Sequence, residues 1–503
     1  MKITRSLVGG VAFGAILAVS AVLPAEAATK ASAKRESAAD AAMKQELSDL
    51  RAQIQALQSR LDAQEASRPA AQAEVQAAQA KAQAAQDEVI TAKAQIADVN
   101  AQLQTAQAAI AAIPPPPATT MAWDGATRWN GNGNTFKVRG RILVDAAAIS
   151  FNRPGTQNDL SARQIRGRQA FLGVEGGIGP KFAYKVEGGA VNGGAWAWDD
   201  AYFEYKLTKQ DSLFFGNIKA VGLENITSTR FTSFMDRGPF DNLLSISYVL
   251  AAQWQHVGSN YTFTAAVQGD SINSADVAAA TGSSNNNERL GYSARLTFFP
   301  INDAHQTLHL GAWGRYRKHG DDGLFSYSAG YSSPLRPVTL TNSGGVGDTD
   351  LTVGLEAMYV FDSFSVQAEG ANIHVNRFQG SPDFDIKTGY IFGSWYLTGE
   401  RRQYGTKGEM SRPRVINPVD KNGWGALELL ARFDYADLTD AKNPNGTGIA
   451  QAGTYKGYTA GLTWSPINYV RFMANFTHGD INNPLAVNDG KVDIFQLRAQ
   501  LDW

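Results

Sequence analysis

Phe495-Gln496-Leu497-Arg498-Ala499-Gln500-Leu501-Asp502-Trp503 alternates without a fault. Phe495, Leu497, Ala499, Leu501 and Trp503 face one way, and Gln496, Arg498, Gln500 and Asp502 the other. A period of two is the mark of a β-strand with one apolar face and one wet face. The same pattern recurs upstream. Leu427, Leu429, Ala431, Phe433 and Tyr435 alternate with Glu428, Arg432 and Asp434, and Tyr292, Ala294, Leu296 and Phe298 with Ser293, Arg295 and Thr297. Phe182, Tyr184 and Val186 alternate with Ala183, Lys185 and Glu187. A soluble sandwich buries one face of each strand in the same way. Three features favour a membrane barrel instead. The runs reach 9 to 15 residues, long for a soluble strand. Their apolar faces end in Tyr, Trp or Phe, as an aromatic girdle does. The final run ends on an aromatic residue. In lipid an open sheet edge is forbidden, so such strands must close into a barrel.

Composition agrees. The 503 residues include 49 Gly, 24 Phe, 17 Tyr and 10 Trp, which suits a β protein with tight turns and aromatic outer faces. No Cys is present, which excludes a disulfide scaffold, a thiolate metal site and a Cys nucleophile. Net charge is −1, so no bulk charge attracts nucleic acid. Residues 1–120 hold 11 basic and 11 acidic side chains, which leaves 35 and 36 for the remainder. Any preference for one ion sign must therefore come from placement. No G-x-S-x-G elbow and no H-E-x-x-H motif occurs, so no catalytic residue, metal ligand or cofactor is assigned.

Sixteen candidate strands start near Phe136, Ala162, Lys181, Trp198, Asp211, Val249, Asn260, Arg289, Gln306, Asp350, Ser363, Lys387, Trp424, Tyr455, Tyr469 and Lys491. An even number is what a single-chain bacterial barrel requires. The connections alternate between short (Gly177–Pro180, Thr208–Gln210, Ser465–Asn468) and long (Ala220–Tyr248, Asp270–Glu288, Lys318–Thr349, Asp437–Thr454). Short turns belong to the periplasmic side, which puts both barrel ends there. Thr398–Gly423 breaks the alternation, being long on the short side.

Before the barrel the chain has a different character. Lys2 and Arg5, the apolar run Leu7–Leu23 and Ala25-Glu26-Ala27 read as a cleavable signal peptide over 1–27. Residues 28–113 read as a periplasmic coiled coil. Leu47, Ile54, Leu61, Val75, Ala82, Val89, Ile96, Leu103 and Ile110 fall on one heptad position, and Met43, Leu50, Leu57, Ala71, Ala78, Ala85, Ala92, Val99, Ala106 and Ile113 on the other. Pro69 should kink the helix. Residues 114–122, opening with Pro114–Pro117, read as a stiff linker, and the barrel follows over 123–503. The fold class is thus an all-β transmembrane barrel of about sixteen antiparallel strands, preceded by an α-helical coiled coil.

Several segments resemble the phosphate-selective porins O and P. They are Phe215-Gly216-Asn217-Ile218-Lys219 with Thr227-Ser228-Thr229-Arg230-Phe231 and Met235-Asp236-Arg237, then Trp395-Tyr396-Leu397-Thr398-Gly399-Glu400-Arg401-Arg402-Gln403-Tyr404. Gly425-Ala426-Leu427-Glu428-Leu429, Gly461-Leu462-Thr463-Trp464 and Phe495-Gln496-Leu497-Arg498 complete the set. The resemblance spans nearly all of 136–503. It implies a homotrimer in the bacterial outer membrane, with the third long loop, Ala220–Tyr248, folded into each pore. It implies an anion path lined by Arg and Lys, with Arg168, Arg230 and Arg237 at matching positions. The family's closely spaced loop-five arginines are replaced here by Tyr327, Tyr331, Ser332 and Ser333, for which Arg315 and Arg317 could partly substitute. The resemblance also makes Phe495, Leu497, Leu501 and Trp503 the terminal signal read by the barrel-assembly machinery.

Two function classes remain. One is passive diffusion of small hydrophilic solutes, anions such as phosphate first among them. The other is a tether whose coiled coil reaches from the outer membrane to peptidoglycan.

Overall fold

The computed structural model describes residues 43–55, 71–111 and 119–503, apart from short stretches at 124, 156–157, 193, 245–246, 275–286, 321–323, 331–340, 343–345, 378–381, 406, 442–452 and 484–487. The expected signal peptide, the helix break at Pro69 and the Pro114–Pro117 run lie outside the described residues.

The chain forms two units. The first contains helix α1, over 43–55, and helix α2, Ala71–Ala111. α2 has 41 residues, about 60 Å at ~1.5 Å per residue. Leu50 of α1 and Ala85 of α2, both on the heptad grid, are buried. Ile90, off the grid, is 63% exposed, and Val99, on it, is 48% exposed. No described helix is long and apolar enough to cross a membrane.

The second unit is a closed antiparallel barrel. Its strands are β1 (Asn134–Asn152), β2 (Leu160–Ile178), β3 (Phe182–Val191), β4 (Ala195–Lys206), β5 (Asp211–Ile218), β6 (Val249–Val257), β7 (Tyr261–Gln268) and β8 (Leu290–Asn302). They continue as β9 (Gln306–Lys318), β10 (Gly347–Phe361), β11 (Phe364–Arg377), β12 (Phe384–Tyr396), β13 (Ala426–Asp437), β14 (Thr454–Ile467), β15 (Val470–Asn482) and β16 (Gly490–Asp502). Each pairs with its neighbours in sequence, and β16 returns to β1. Every one of the sixteen starts read from the alternation lies within three residues of an observed start. The stretch read as linker is already a strand from Thr119. Thr119–Trp123 and Thr127–Gly131 form a hairpin that extends β1 through Arg128↔Lys137.

Burial is inverted relative to a soluble protein. On β10, Leu351, Val353 and Leu355 are about half exposed or more, while Asp350, Thr352 and Glu356 are buried. Phe476, Phe495, Leu497 and Leu501 are exposed, and Asn475, Gln496, Arg498 and Asp502 are buried. Apolar side chains therefore cover the outside and polar ones the lumen, the arrangement a lipid-facing barrel needs. Turns on one side are short, as at 179–181, 207–210, 258–260, 362–363 and 468–469. Asp362 makes its two-residue turn in the left-handed region, at φ 46°.

The β1–β16 ladder that closes the barrel runs on to Trp503. Trp503 N–H donates to Gly140 O at 3.0 Å, and Gly140 N–H donates to Trp503 O at 3.1 Å. The Trp503 ring occupies the space that a side chain at 140 would need, since a Cβ there would sit 2.3 Å from a ring carbon. Gly140→Val should therefore destabilise the barrel by about 1–3 kcal/mol, the usual cost of overpacking. In Gly140→Val/Trp503→Ala the added loss should be smaller than the sum of the two single losses, as urea unfolding of detergent-solubilised protein would show. Full additivity would contradict the contact.

Candidate functional site

The connection between β5 and β6, loop 3 (219–248), folds into the barrel because both it and the wall are apolar there. Val221, Phe234, Phe240, Leu243 and Leu244 are buried against inward-facing Ile373, Val375, Phe384, Ile386, Tyr390 and Phe392 of β11 and β12. Phe240 meets Tyr390, and Phe234 meets Phe392, edge-on at 5.4 Å in each case. Each such burial is worth roughly 1.5–3 kcal/mol. Two short helices, α3 (Leu223–Ile226) and α4 (Pro239–Leu244), carry these side chains. The same core takes in Ile149 and Phe151 of β1, Tyr455 of β14, Ile481 of β15 and Val492 and Ile494 of β16.

Wall side chains satisfy the loop's backbone. Both oxygens of the buried Glu369 carboxylate accept backbone N–H groups, from Leu223 at 2.8 Å and Glu224 at 2.6 Å. Arg498 donates to Met235 O at 2.5 Å, Arg471 to Thr232 O at 2.9 Å, and Arg315 to Leu244 O. Arg432 pairs with Glu224 at 2.8 Å. Within the loop, Arg237 donates to Glu224 O, Asn225 O and Thr227 O and pairs with Asp241. Several basic residues that alternation places in the lumen are thus committed to holding loop 3.

A second segment enters from the short-turn side. Turn 6 (397–425) is the connection that broke the alternation of lengths. Its small hairpin, Gln403–Tyr404 against Met410–Ser411, lies inside the barrel. Tyr404 OH bonds His309 at 2.5 Å, Gly408 O accepts from Arg295 at 2.7 Å, and Arg412 pairs with Asp502. Turn 6 meets loop 3 where Met410 N–H donates to Thr227 Oγ1 at 3.2 Å and where Met410 packs with Leu223. The Arg412 guanidinium lies over Phe231 of loop 3 and over Tyr469.

What stays open is a cavity of about 570 Å³ along the β1–β8 wall. Among the described residues its lining holds eight basic side chains, Lys137, Arg139, Lys185, Lys219, Arg230, Arg295, Lys407 and Arg412, against three acidic ones, Glu175, Asp200 and Glu409. At its back the buried Glu187 is shared by Arg139 (2.9 Å), Arg230 (3.0 Å) and Arg141. Arg139 also pairs with Glu175 and Arg141 with Asp199, so three guanidiniums meet three carboxylates and the cluster is balanced. Lys219, in loop 3, also touches the Tyr248 ring at 4.9 Å and donates to Asn225 O at 2.8 Å. Burial and the neighbouring Arg237 push its ammonium down to about 7.

The residues singled out from the sequence scatter around this cavity. Arg230 lines it, and its carboxylate partner is Glu187 on the wall rather than a loop acid. Arg168 and Arg237 line a separate 70 Å³ space on the other side of loop 3, where Arg168 lies 3.6 Å from Asp236. Arg315 and Arg317 stand at the long-loop end of β9, Arg315 on the loop 3 backbone and Arg317 on Asp350 at 3.0 Å. Phe495, Leu497 and Leu501 lie exposed on the outer face, and Trp503 at the β1–β16 seam. Lys407 and Arg412 escaped the sequence reading because loops carry no periodicity, and Lys219 entered it only as the last residue of a family motif. The one signal for Lys407 and Arg412 was the misplaced long connection.

The sequence pattern of the family described as phosphate-selective porin O and P matches residues 136–503. An uncharacterized protein of Caulobacter vibrioides is 28% identical over 423 residues, covering 78% of this chain and 80% of that one. Among solved structures, the anion-selective porin from Comamonas acidovorans superposes with a TM-score of 0.46 at 10% identity, covering 74% of this chain and 100% of its own. The outer membrane channel DcaP of Acinetobacter baumannii gives 0.45 at 13% identity, over 74% and 98%.

The Glu369 latch makes a direct prediction. Glu369→Ala leaves two buried N–H groups without an acceptor, at about 1–3 kcal/mol each. Hydrogen exchange at the Leu223 and Glu224 amides should rise at least tenfold while strand amides keep their protection. Unchanged exchange at those two amides would contradict the latch.

Proposed function

This chain belongs to the phosphate-selective porin O and P family, a family of outer-membrane channels, and from that premise we propose that it passes small hydrophilic anions, phosphate among them, by passive diffusion. The observation that carries the proposal is the cavity lining. Eight basic groups line the cavity against three acidic ones, with Glu187, Glu356 and Asp502 pairing with Arg230, Arg295 and Arg412 from behind it, in a barrel of 35 basic and 36 acidic residues overall. Guanidinium and ammonium donors replace part of an anion's hydration, and a narrow lumen between low-dielectric walls strengthens the attraction. Arg230 supplies such a donor from loop 3 and Lys407 another from turn 6. Lys407 is the better probe. It rests over the Phe214 ring at 4.7 Å, whereas Arg230 is tied to Glu187.

Family membership and wall height support a trimer. β5, β6 and β7 have 8, 9 and 8 residues. At ~3.4 Å per residue and a tilt of ~40° they rise about 21–23 Å, less than the ~25 Å apolar band of an outer-membrane barrel. A wall that low is better covered by a neighbouring copy than by lipid. We place the trimer contact there.

The remaining readings belong to this proposal. Residues 1–27 direct export. Phe495, Leu497, Leu501 and Trp503 signal to the assembly machinery. Because β1 starts at the short-turn end, the heptad segment enters from the periplasm, where it associates with its copies and reaches for peptidoglycan.

Lys407→Glu swings the cavity charge by two units. At ~7 Å in a water-like dielectric each unit is worth roughly 0.6 kcal/mol before screening. The anion-to-cation permeability ratio should fall about fivefold in planar-bilayer recordings, and Lys181→Glu in the short turn 179–181, outside the cavity lining, should leave it alone. An unchanged ratio for Lys407→Glu would overturn this role.

A pH dependence follows from loop 3. With its ammonium near 7, Lys219 is charged below that pH and neutral above it. Asp241, pushed up to about 7 by burial, loses its negative charge as pH falls, a change of the same sign. The anion-to-cation ratio should therefore drop between pH 6 and pH 8, and Lys219→Arg should remove the lysine's part of that step and Lys219→Arg/Asp241→Asn the whole of it. A ratio that rises with pH would contradict the assignment.

A further inference from the structure

Phe214 breaks the rule that polar side chains line the lumen. It faces in from β5, between its register partners Glu204 of β4 and Gln253 of β6, and is buried. The inward-facing rings of Tyr390 and Phe392 belong to the apolar core under loop 3, and Phe214 does not. It lines the ion cavity instead. Tyr202 braces it in an edge-to-face contact at 5.6 Å. Over its face, 4.7 Å from the centroid, lies the Lys407 ammonium.

The backbone of that lysine is fixed elsewhere. Lys407 sits near the tip of the turn 6 hairpin, and the next residue is anchored on β8. Gly408 O accepts from Arg295 at 2.7 Å, and a Cβ at 408 would lie 3.0 Å from Thr297 Oγ1. Arg295 is itself held by Glu356 at 2.6 Å. β5 and β8 are three strand spacings apart, ~14 Å. The side chain thus leaves a tip anchored on one strand and ends on a ring carried by another, with its ammonium inside the cavity.

The charge is also held differently from its neighbours. Arg230 pairs with Glu187, Lys185 with Asp200, Arg295 with Glu356 and Arg412 with Asp502. Each carboxylate fixes its cation but cancels its charge. Among the described residues Lys407 has no ion pair. Glu409 on the same hairpin feels the ammonium without pairing with it, and burial pushes the Glu409 carboxyl up, toward its neutral form. An aromatic face attracts a cation through its quadrupole and carries no net charge. The ring therefore confines an ammonium on a flexible stem. It leaves the charge, and the N–H donors turned away from the ring, to a passing anion. Lys219 over Tyr248 repeats the arrangement in loop 3.

We propose that Phe214 is a specificity-determining positioning residue. Its ring holds the Lys407 ammonium in the ion path with its charge uncancelled, so the pair, not the lysine alone, sets the preference for anions. This rests on the anion-channel reading above.

The test is the reversal potential of the full chain in a salt gradient, with Phe214→Leu and Phe214→Tyr made in the wild-type and in the Lys407→Gln background. Phe214→Leu should lower the anion-to-cation ratio about twofold, as loss of one charge from the path would. Phe214→Tyr should keep the ratio, as should Phe215→Leu on the lipid-facing side of β5. In the Lys407→Gln background Phe214→Leu should change nothing further. An equal fall in both backgrounds overturns the proposal, because the ring then only fills the wall. A ratio that drops with Lys407→Gln but not with Phe214→Leu overturns the proposal alone. A ratio unmoved by Lys407→Gln removes the lysine's role and the proposal with it. If Phe214→Leu does not fold, trifluorophenylalanine at 214, which keeps the shape and weakens the ring's negative face, should give the same fall, and an unchanged ratio overturns the proposal.

Discussion

Everything in the barrel follows from one constraint, that no backbone N–H or C=O may face hydrocarbon unpaired. A flat sheet cannot meet it, because an edge strand always has a free side. Here β16 returns to β1, and the pairing of Trp503 with Gly140 completes the seam. Once the ring is closed, side-chain alternation does the rest. One face of every strand must be apolar for lipid, and the other is free to be polar. The exposed Leu351, Val353 and Leu355 beside buried Asp350 and Glu356 are a local consequence of that closure.

A closed ring of sixteen strands encloses more space than its own side chains fill. Loop 3 and turn 6 take up the surplus from opposite ends and meet at Thr227 and Met410. Their attachment accounts for much of the lumen's charge. Arg315, Arg432, Arg471 and Arg498 serve loop 3, while Arg295 also holds turn 6. Glu369 completes the set from the acidic side. What this leaves is uneven, an apolar core toward the long loops and a basic cavity against β1–β8. A barrel of balanced composition thereby acquires a biased path.

The strands were legible because each repeats the same two-residue rule with the same polarity, and long runs make the rule statistically firm. The misplaced length of turn 6 was legible for the same reason, as a break in an otherwise regular count. The cavity was less so. Alternation says that Arg315 faces the lumen, but not at what height or opposite which partner. Arg230 and Glu187 are 43 residues apart and meet only through the register of β1 and β3 and the fold of loop 3. The resemblance located Arg230, Arg168 and Arg237 by motif, yet a motif does not say which side of loop 3 a side chain takes. Lys219, Lys407 and Arg412 gave no periodic signal at all.

The central claim is that placed cations, not bulk charge, decide which ions pass. The most direct check is the reversal potential of the purified wild-type protein in a planar bilayer with a tenfold potassium chloride gradient at pH 6. The account predicts a potential displaced toward the chloride equilibrium potential. A value at zero, or displaced toward that of potassium, would contradict it.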